Sequence, residues 1–580
     1  MSKVFEYMKP YTGLVLLTVL LLAAETACAL LLPSYMADIV NDGVLTGHIH
    51  VIWHNGVIML VITIISIIVA SVAGFLISKT ATGVANDLRL AVFQKVLRFS
   101  DAEMNHFNTS SLITRTTNDI TQVQNTLMMA IRQFIYAPML GVGAIILAME
   151  RSVSMTWIIA LATLVMVGTC FILFIVAMPK FKMWQGLIDR LNSVTRENLS
   201  GILVVRAFST QNFEKKRFGE ANKNLADTQL FVNRAFSTLS PMIYLVMNLT
   251  TVGIVWVGAR QASAFRADVG DIFAFLQYGL LIIFAFLMLA IMFIMVPRAV
   301  VSANRIKEVL ETEGSIQFRE ETVSFAEDFK GVVEFRDVSF RYPDTIDAED
   351  NVLEGISFTA KPGETTAIIG STGAGKSTIF KLLLRFFDVT GGAILIDGID
   401  IRDLSKDELH DKIGYVPQKV FLFSGSIKTN LLYANQGATE SIIEDAIDIA
   451  QARAFIEERE EGYESNVAQK GVNFSGGQKQ RISIARALVK KAQIYLFDDS
   501  FSALDLKTDA LLRNALKEKM TDSTMLVVAQ RISTIMDADQ IVVLEHGKIA
   551  GCGTHTELLK TCEVYRQIAA SQLSEEELNL

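Results

Sequence analysis

The chain has 580 residues, of which 51% are hydrophobic and 20% charged, with a mean hydropathy of +0.37 and a formal net charge of −8. Charge is sparse for a soluble globular protein, in which about 25% of residues are charged. The acidic balance indicates no nucleic-acid partner, and 9 prolines and 36 glycines exclude collagen-like and proline-rich disordered chains. The cysteines show neither metal-ligand spacing nor a disulfide framework: Cys28, Cys170, Cys552 and Cys562.

The charges are distributed unevenly along the chain. Residues 1–320 carry 25 Lys and Arg against 20 Asp and Glu, a net +5, and the remaining residues carry 28 against 41, a net −13. The first part also contains the long apolar runs. We therefore expect a membrane domain over residues 1–320 and a soluble domain over residues 321–580.

The first part contains six apolar runs that approach the length of about 20 residues needed to span a bilayer. A tight hairpin is predicted between the third and fourth runs, because only Glu150–Ser154 separates them. The runs are approximately Gly13–Met36, Val51–Ser78, Phe134–Met149, Met155–Met178, Thr238–Ala259 and Ile272–Val296.

Basic residues are concentrated in the two long polar connections, 79–133 and 179–237, whereas the short connection before Val51 has no Lys or Arg. The positive-inside rule therefore predicts a multi-pass plasma-membrane protein whose N-terminus, long connections and charged domain are cytoplasmic. Apolar residues at helical spacing predict that the spans continue as helices beyond the membrane: Val84, Leu88, Val92 and Val96.

Glu25 is the only formal charge deep inside an apolar run. A carboxylate in hydrocarbon is costly and usually faces a cavity or a partner. Glu25 is therefore either a substrate-facing or proton-linked group, or a protonated or hydrogen-bonded packing residue. The Met288, Met292 and Met295 stripe is adaptable apolar surface, which favours ordinary packing over a promiscuous binding wall.

A phosphate-binding motif begins in the soluble domain, where the predicted strand Ala367–Ile369 is followed by Gly370–Ser377 and an apolar helix pattern. The segment matches the phosphate-loop pattern in its strand–loop–helix setting. Glycines let backbone N–H groups face the phosphates, and the helix N-terminus adds its dipole. Lys376 is expected to pair with the β- and γ-phosphates and Ser377 to hold Mg2+. The predicted nucleotide contacts are Gly370, Ser371, Thr372, Gly373, Ala374, Gly375, Lys376, Ser377 and Thr378.

Two further motifs follow. Ile494–Asp498 is an apolar strand pattern that ends in a carboxylate, and a buried strand can present such an Asp to Mg2+ at the phosphates. Asn473–Gln478 resembles the signature sequence of ATP-binding cassette (ABC) proteins. The whole chain resembles an ABC exporter half-transporter, in which six spans precede one nucleotide-binding domain.

The resemblance implies a membrane all-α domain of six helices and a soluble α/β P-loop NTPase domain, with ATP and Mg2+ as cofactors. In this family two cassettes face head to tail, and each ATP lies between the phosphate loop of one cassette and the signature of the other. The implied partners are a second half-transporter, the lipid bilayer and a hydrophobic small-molecule substrate. The signature residues that would contact ATP held by the partner are Ser475, Gly476, Gly477 and Gln478.

Other positions match the family one by one. Tyr342 stands where the family stacks an aromatic ring on adenine, and Gln418 where a glutamine reaches Mg2+ and the attacking water. Ser502–Asp505 matches the loop between the two ATP sites. Phe107–Asp119 and Glu197–Phe208 resemble the segments that dock on the cassettes.

Two positions depart from the family pattern. Asp499 replaces the glutamate that polarises the attacking water, and Gln530 replaces the histidine that contacts the γ-phosphate. Asp lacks one methylene and Gln cannot become cationic. Loss of one positioned acid–base group costs about 10²–10⁴-fold in rate. Asp499, Gln530 and Gln418 are therefore expected to form a degenerate catalytic set that binds MgATP but hydrolyses it poorly.

A homodimer would carry both changes in both ATP sites, so we expect an obligate heterodimer, similar to heterodimeric bacterial multidrug exporters with one degenerate site. The predicted function is ATP-driven efflux of hydrophobic or amphipathic compounds, with hydrolysis mainly at the site completed with the partner. A lipid or peptide exporter and an ATP-gated regulatory or channel-type subunit remain open. The sequence does not identify the substrate, and the export direction comes from the resemblance alone.

Overall fold

The chain forms two compact units in a computed structural model that describes residues 2–264, 268–318, 323–343 and 351–573. The first unit comprises Met1–Leu97 and Thr109–Thr312, and the second comprises Arg98–Asn108 and Glu313–Leu580. The short segment Arg98–Asn108 thus belongs with the soluble unit, although it is inserted between two stretches of the membrane unit.

Helices account for nearly all of the chain up to residue 311. Lys9–Tyr11 is a 3-10 turn, and Ile39–Val44 and Arg115–Asp119 are π-helical. The α-helices are α1 (Ser2–Met8), α2 (Thr12–Asp38), α3 (Ile49–Val96), α4 (Asp101–Phe107), α5 (Thr109–Thr114), α6 (Ile120–Arg151), α7 (Val153–Ser200), α8 (Ile202–Ala207), α9 (Gln211–Ser237), α10 (Leu239–Ser263) and α11 (Val269–Glu311).

Within the described residues, six helical stretches are long and apolar enough to cross a membrane, which confirms the six predicted spans. They are Lys3–Val44, Ile49–Val96, Thr109–Arg151, Met155–Leu173, Gln211–Ser263 and Val269–Glu311.

The spans are parts of much longer helices. Helix α3 has 48 residues, which at 1.5 Å per residue is about 72 Å, whereas the hydrocarbon core of a bilayer is about 30 Å thick. Val84, Leu88 and Val92 are buried in its second half, as their helical spacing predicts. Only Ser152, in extended conformation, separates α6 from α7, so the predicted hairpin is present.

The membrane unit packs around an apolar cluster formed by α2, α6, α7, α10 and α11. Phe275 and Tyr278 of α11 are fully buried in it. Met292 is also buried and Met288 packs against the cluster. These positions favour the packing interpretation of the methionine stripe.

The soluble unit is built on β-sheets covered by helices. Its strands are β1 (Val333–Phe340), β2 (Leu353–Ala360), β3 (Thr365–Gly370), β4 (Gly391–Ile396), β5 (Ile399–Asp400), β6 (Ile413–Val416), β7 (Gly425–Ser426), β8 (Asn466–Val467), β9 (Ile494–Asp498), β10 (Thr524–Val528), β11 (Gln540–Glu545) and β12 (Lys548–Gly553). Its α-helices after β3 are α12 (Lys376–Leu383), α13 (Lys406–Asp411), α14 (Ile427–Leu432), α15 (Glu440–Ile449), α16 (Arg453–Glu457), α17 (Gly476–Val489), α18 (Leu506–Lys519), α19 (Ile532–Ile535), α20 (His555–Thr561) and α21 (Glu563–Ala570).

The main sheet has the strand order β12-β11-β3-β10-β9-β6, in which all pairs are parallel except β11 with β12. A second sheet, β2-β1-β4-β5, is antiparallel. Every residue of β9 and β10 is buried, as expected for parallel strands covered on both faces. This is the predicted α/β nucleotide-binding fold.

Candidate nucleotide-binding site

Four neighbouring parallel strands bring the sequence motifs to one edge of the main sheet. In the register of β10, Val528 lies opposite Ile368 of β3 and Asp498 of β9. The phosphate loop follows β3, and the segments that carry Gln418 and Gln530 follow β6 and β10. Ligands of open α/β sheets bind at the carboxyl ends of the strands. Residues more than 150 positions apart are thereby gathered at a single site.

The phosphate loop (Gly370–Ser377) has the backbone conformation that its glycines predict. Gly373 and Gly375 have φ angles of 84° and 93°, a left-handed region that disfavours residues with a side chain. At Gly375 an added Cβ would also lie 2.6 Å from a methyl group of Leu353. Helix α12 begins directly afterwards at Lys376. The loop therefore curves into the N-terminus of a helix, which favours anions.

The side chain of Lys376 folds back onto the phosphate loop. Its ammonium group donates hydrogen bonds of 2.8 Å to the carbonyl oxygens of Gly370 and Ser371. Burial lowers the pKa of Lys376, and the nearby carboxylates of Asp499 and Asp498 oppose this shift. A half-buried cation with backbone N–H groups around it suits the phosphates of a nucleotide.

Ser377 and Asp498 provide oxygen ligands of the kind that Mg2+ prefers. The Ser377 hydroxyl donates a 2.8 Å hydrogen bond to Oδ1 of Asp498. Asp498 is only 4% exposed, and burial raises its pKa, while the hydrogen bond from Ser377 lowers it. The two side chains sit at the start of α12 and the end of β9, where a cation bridging the phosphates would be held.

Asp499, Gln418 and Gln530 form a hydrogen-bonded cluster beside these ligands. Oδ2 of Asp499 accepts a 2.7 Å hydrogen bond from the Gln530 carboxamide and a 3.3 Å hydrogen bond from the Gln418 carboxamide. The Asp499 backbone has a φ of 48°, and its N–H donates to the carbonyl of Val528. The structure thus joins the three predicted catalytic residues through one carboxylate oxygen.

Gln572 holds the backbone on either side of Arg531. Its carboxamide donates to the carbonyl of Gln530 at 2.9 Å and accepts from the N–H of Ile532 at 2.8 Å. Sequence reasoning missed this residue, because Gln572 belongs to no motif and lies about 40 positions further along the chain. The segment after α21 therefore fixes the loop that presents Gln530.

Tyr342 lies beside the first turn of α12. Its hydroxyl is 3.1 Å from Oγ1 of Thr378, and its ring meets Phe340 and Phe387 edge to face. The Lys381 ammonium is 6.0 Å from the ring centroid. The ring is half-buried next to the phosphate loop, and adenine stacking on it stays a prediction.

The signature residues form the exposed first turn of α17. Ser475 caps the helix, with reciprocal hydrogen bonds to Gln478 of 3.3 and 3.1 Å. Ser475 and Gly476 are exposed, and a Cβ added at Gly476 would have no neighbour within 4 Å. Among the described residues, no hydrogen bond joins this turn to the phosphate loop. The N-terminus of this 14-residue helix is capped and exposed to solvent, so it is suited to bind a phosphate group that this chain's own phosphate loop does not hold.

A segment from between the first two membrane stretches contacts the phosphate-loop helix. The Lys381 ammonium donates a 2.9 Å hydrogen bond to Asp101 of α4, and Lys381 lies one turn after Ser377. Helix α4 begins with a capping box between Ser100 and Glu103, and Glu103 also accepts from the backbone N–H of Ser315.

The segment that belongs to the soluble unit, Arg98–Asn108, overlaps the predicted docking range Phe107–Asp119 at its first two residues. Only Phe107 and Asn108 of that range belong to the soluble unit, and Thr109–Thr114 begins the next stretch of the membrane unit. Docking by the rest of the predicted range stays a prediction. A docking role for Glu197–Phe208 stays a prediction.

The fold and this site together define a membrane-bound nucleotide-binding cassette protein. A sequence profile described as the ABC transporter transmembrane region matches residues 15–286, and one described as ABC transporter matches residues 353–502. The chain belongs to the ABC transporter family and is an ABC exporter half-transporter with a six-helix transmembrane domain fused to an ATP-binding domain.

Similar proteins align over nearly the full chain. An uncharacterized ABC transporter ATP-binding protein of Mycobacterium tuberculosis is 39% identical, covering 98% of this chain and 97% of its own. An ATP-dependent lipid A-core flippase of Pseudomonas aeruginosa is 32% identical, with 99% and 96% covered. The structure of a bacterial Atm1-family ABC exporter with ATP bound matches with a TM-score of 0.80 at 24% identity, covering 98% and 99%, which shows the shared fold.

Proposed function

We propose that this chain is one subunit of a heterodimeric ABC exporter, to which it contributes a degenerate ATP site and an intact signature. The observation that carries the proposal is the cluster around Asp499. The shorter carboxylate is engaged by both the Gln530 and the Gln418 carboxamides, and neither donor can act as an acid at neutral pH. Such a site holds MgATP through Lys376, Ser377 and Asp498 and turns it over slowly.

The signature supports the second half of the proposal. Its first turn is capped by Ser475 and open to solvent, so it is ready to complete the ATP site of another chain. A partner that carries Glu and His at the positions of Asp499 and Gln530 would then provide the competent site. The pair would have one slow and one fast site.

The proposed cycle is primary active export of hydrophobic or amphipathic compounds from the cytoplasm across a bacterial plasma membrane. ATP held between the two cassettes favours their closure, and hydrolysis at the competent site removes the γ-phosphate contacts and resets the inward-facing state. In this chain, the contact of Lys381 with Asp101 links the phosphate-loop helix to a segment that continues directly from α3.

Lipid export is the second candidate function. The relative from Pseudomonas aeruginosa is named a lipid A-core flippase and aligns with 99% of this chain. An ATP-driven lipid flippase needs the same two cassettes, so only the transported molecule distinguishes this candidate from small-molecule efflux.

The partner requirement is tested by measuring the ATPase activity of the purified chain alone and together with a candidate partner. We expect the chain alone to bind MgATP with little turnover, and the pair to hydrolyse it. Vigorous turnover by the chain alone, abolished by Lys376→Ala, would contradict the heterodimer. A homologous reading frame beside this one, with Glu and His at the two positions, identifies the partner to use.

Vesicle transport separates a pump from a gate. ATP-driven accumulation of a hydrophobic dye against its gradient in vesicles that contain the pair is the expected result. Equilibration without accumulation would indicate an ATP-gated channel instead.

A further inference from the structure

Glu25 has a partner that the sequence did not reveal. It is the middle residue of the 27-residue helix α2, and its Oε1 accepts a 3.1 Å hydrogen bond from a guanidinium nitrogen of Arg132 on α6. Arg132 precedes the apolar run of its own helix but reaches the depth of Glu25. The ion pair therefore lies within the apolar part of the membrane unit, where an isolated charge is costly.

The two members of this pair differ in exposure. The side chain of Glu25 is 8% exposed, whereas that of Arg132 is 46% exposed. The second carboxylate oxygen of Glu25 is buried and has no hydrogen-bond partner among the described residues. The carboxylate is thus covered, and the group presented to a ligand is the guanidinium.

Arg151 provides an internal comparison, because it also lies at a membrane helix and pairs with carboxylates. Its guanidinium contacts both Asp38, at 3.1 Å, and Asp271, at 3.3 Å, and its side chain is 28% exposed. The charge of Arg151 is thus balanced by two acids, and these contacts tie three helices together. Arg132 pairs with a single carboxylate, that of Glu25, and most of its five N–H donors have no partner in the described part of the chain.

Since intramembrane charges face the bundle interior or a water-filled cavity rather than lipid, we expect the exposed part of the Arg132 guanidinium to face such a cavity. Arg pairs with carboxylate and phosphate groups through parallel hydrogen bonds. Tyr136, half-buried one helical turn beyond Arg132, adds an amphipathic ring. Met129, three residues before Arg132 on α6, is an exposed apolar side chain that a hydrophobic tail could contact.

We propose that Arg132 is a recognition site for the transported molecule, and that this molecule is an amphipathic anion with a carboxylate, phosphate or sulfate group. Glu25 is a positioning residue that holds the guanidinium at mid-membrane depth. A cationic cargo fits less well, because the free oxygen of Glu25 is buried. The inference rests on the proposed export function and names its substrate class.

Binding of two matched fluorescent amphiphiles tests the charge preference. The full chain in phosphatidylcholine nanodiscs is titrated with dansyl-aminoundecanoic acid and with the corresponding dansyl alkylamine, which differ only in the charged end. We expect tighter binding of the acid, and a loss of about tenfold in its affinity for Arg132→Gln, corresponding to one charge-assisted contact. The affinity for the amine should not fall.

Arg217→Gln is the control, because Arg217 is a similarly exposed arginine (42%) that pairs with Glu197 at 2.6 Å and Glu214 at 3.7 Å. It should bind both probes as the wild type does. Since Arg132→Gln alone leaves a buried carboxylate, Glu25→Gln/Arg132→Gln removes both charges together. Binding of MgATP to each variant confirms that the chain is folded.

Three results would overturn the inference: unchanged binding of the acid by the double variant, preference for the amine, or displacement of the acid by millimolar inorganic phosphate. The last would indicate a site for small anions without a role for the apolar tail. None of these results bears on ATP turnover or on the need for a partner, so failure here is distinguishable from failure of the proposed heterodimer.

Discussion

The ATP site has a phosphate-binding end and a switch end, which is named for the loop 529–532 that presents Gln530 (the switch loop). The two ends lie at the same edge of one sheet, yet they differ in chemistry. At the first, Lys376, Ser377 and Asp498 provide a cation and two oxygen ligands with short hydrogen bonds. At the second, one carboxylate oxygen of Asp499 accepts from the Gln530 and Gln418 carboxamides, the arrangement on which the proposed slow turnover rests. Under the proposed function, holding MgATP and hydrolysing it depend on different side chains, even where these are neighbours such as Asp498 and Asp499 at the end of β9, so one activity can be lost without the other.

Lys376→Ala should have the largest effect, because it removes the only cation that lines the described phosphate loop from within. We expect MgATP affinity to fall about 100-fold, in line with the loss of charge-assisted hydrogen bonds worth about 1.5–3 kcal/mol each. Equilibrium binding of a fluorescent ATP analogue measures it. Lys381→Ala, one turn further along α12 and bound to Asp101, is the control and should bind nearly normally.

The double substitution Asp499→Glu/Gln530→His introduces the glutamate and histidine of the family pattern. It should therefore remove the chemical difference between the two ends of the site. We expect ATP turnover by the chain alone to rise at least tenfold, since one positioned acid–base group is worth about 10²–10⁴-fold. Steady-state phosphate release measures it, with Lys376→Ala added as the blank. Unchanged turnover would mean that other residues limit hydrolysis.

Substitutions of Ser475 and Asp499 should have unequal effects on ATP turnover by the paired complex. Ser475→Ala removes the cap of α17, a loss of about 1 kcal/mol, and with it the proposed contact to the partner's ATP, so we expect turnover to fall several-fold. Asp499→Asn should change turnover less than twofold, because the carboxylate belongs to the slow site. A larger effect of Asp499→Asn would show that both sites hydrolyse ATP.

Gln572→Ala should have the smallest effect. It removes two hydrogen bonds to the backbone of Gln530 and Ile532, each worth about 1 kcal/mol, so the switch loop should open more often. Hydrogen exchange at the Ile532 amide should accelerate by about tenfold, with little change in Tm. Gln567→Ala, on the same C-terminal segment but bonded to Glu563, should leave that exchange rate unaltered.

Several features could be predicted from sequence because they depend on local pattern. The six spans follow from apolar length, and the phosphate loop from glycines that only a left-handed backbone needs, as at Gly373 and Gly375. The start of α4 carried a usable signal, since Ser100 and Glu103 have the spacing of a capping box.

The contacts of single polar residues had no such signal. The partner of Glu25 is Arg132, 107 positions away, and the switch loop is held by Gln572, about 40 positions away. Neither distance corresponds to a helical or strand repeat, so neither contact follows from local periodicity. Both arise from how helices or loops pack after folding.

The sequence by itself determined the six spans and the presence of an α/β ATP-binding domain, because apolar length and glycine-rich loops act over a few residues. The tertiary structure alone decided that the Gln418 and Gln530 carboxamides share one oxygen of Asp499. It also decided that Arg132 covers Glu25 and remains half exposed. Those arrangements depend on which strand ends and helix faces meet, and that is fixed by packing the whole chain rather than by any segment of it.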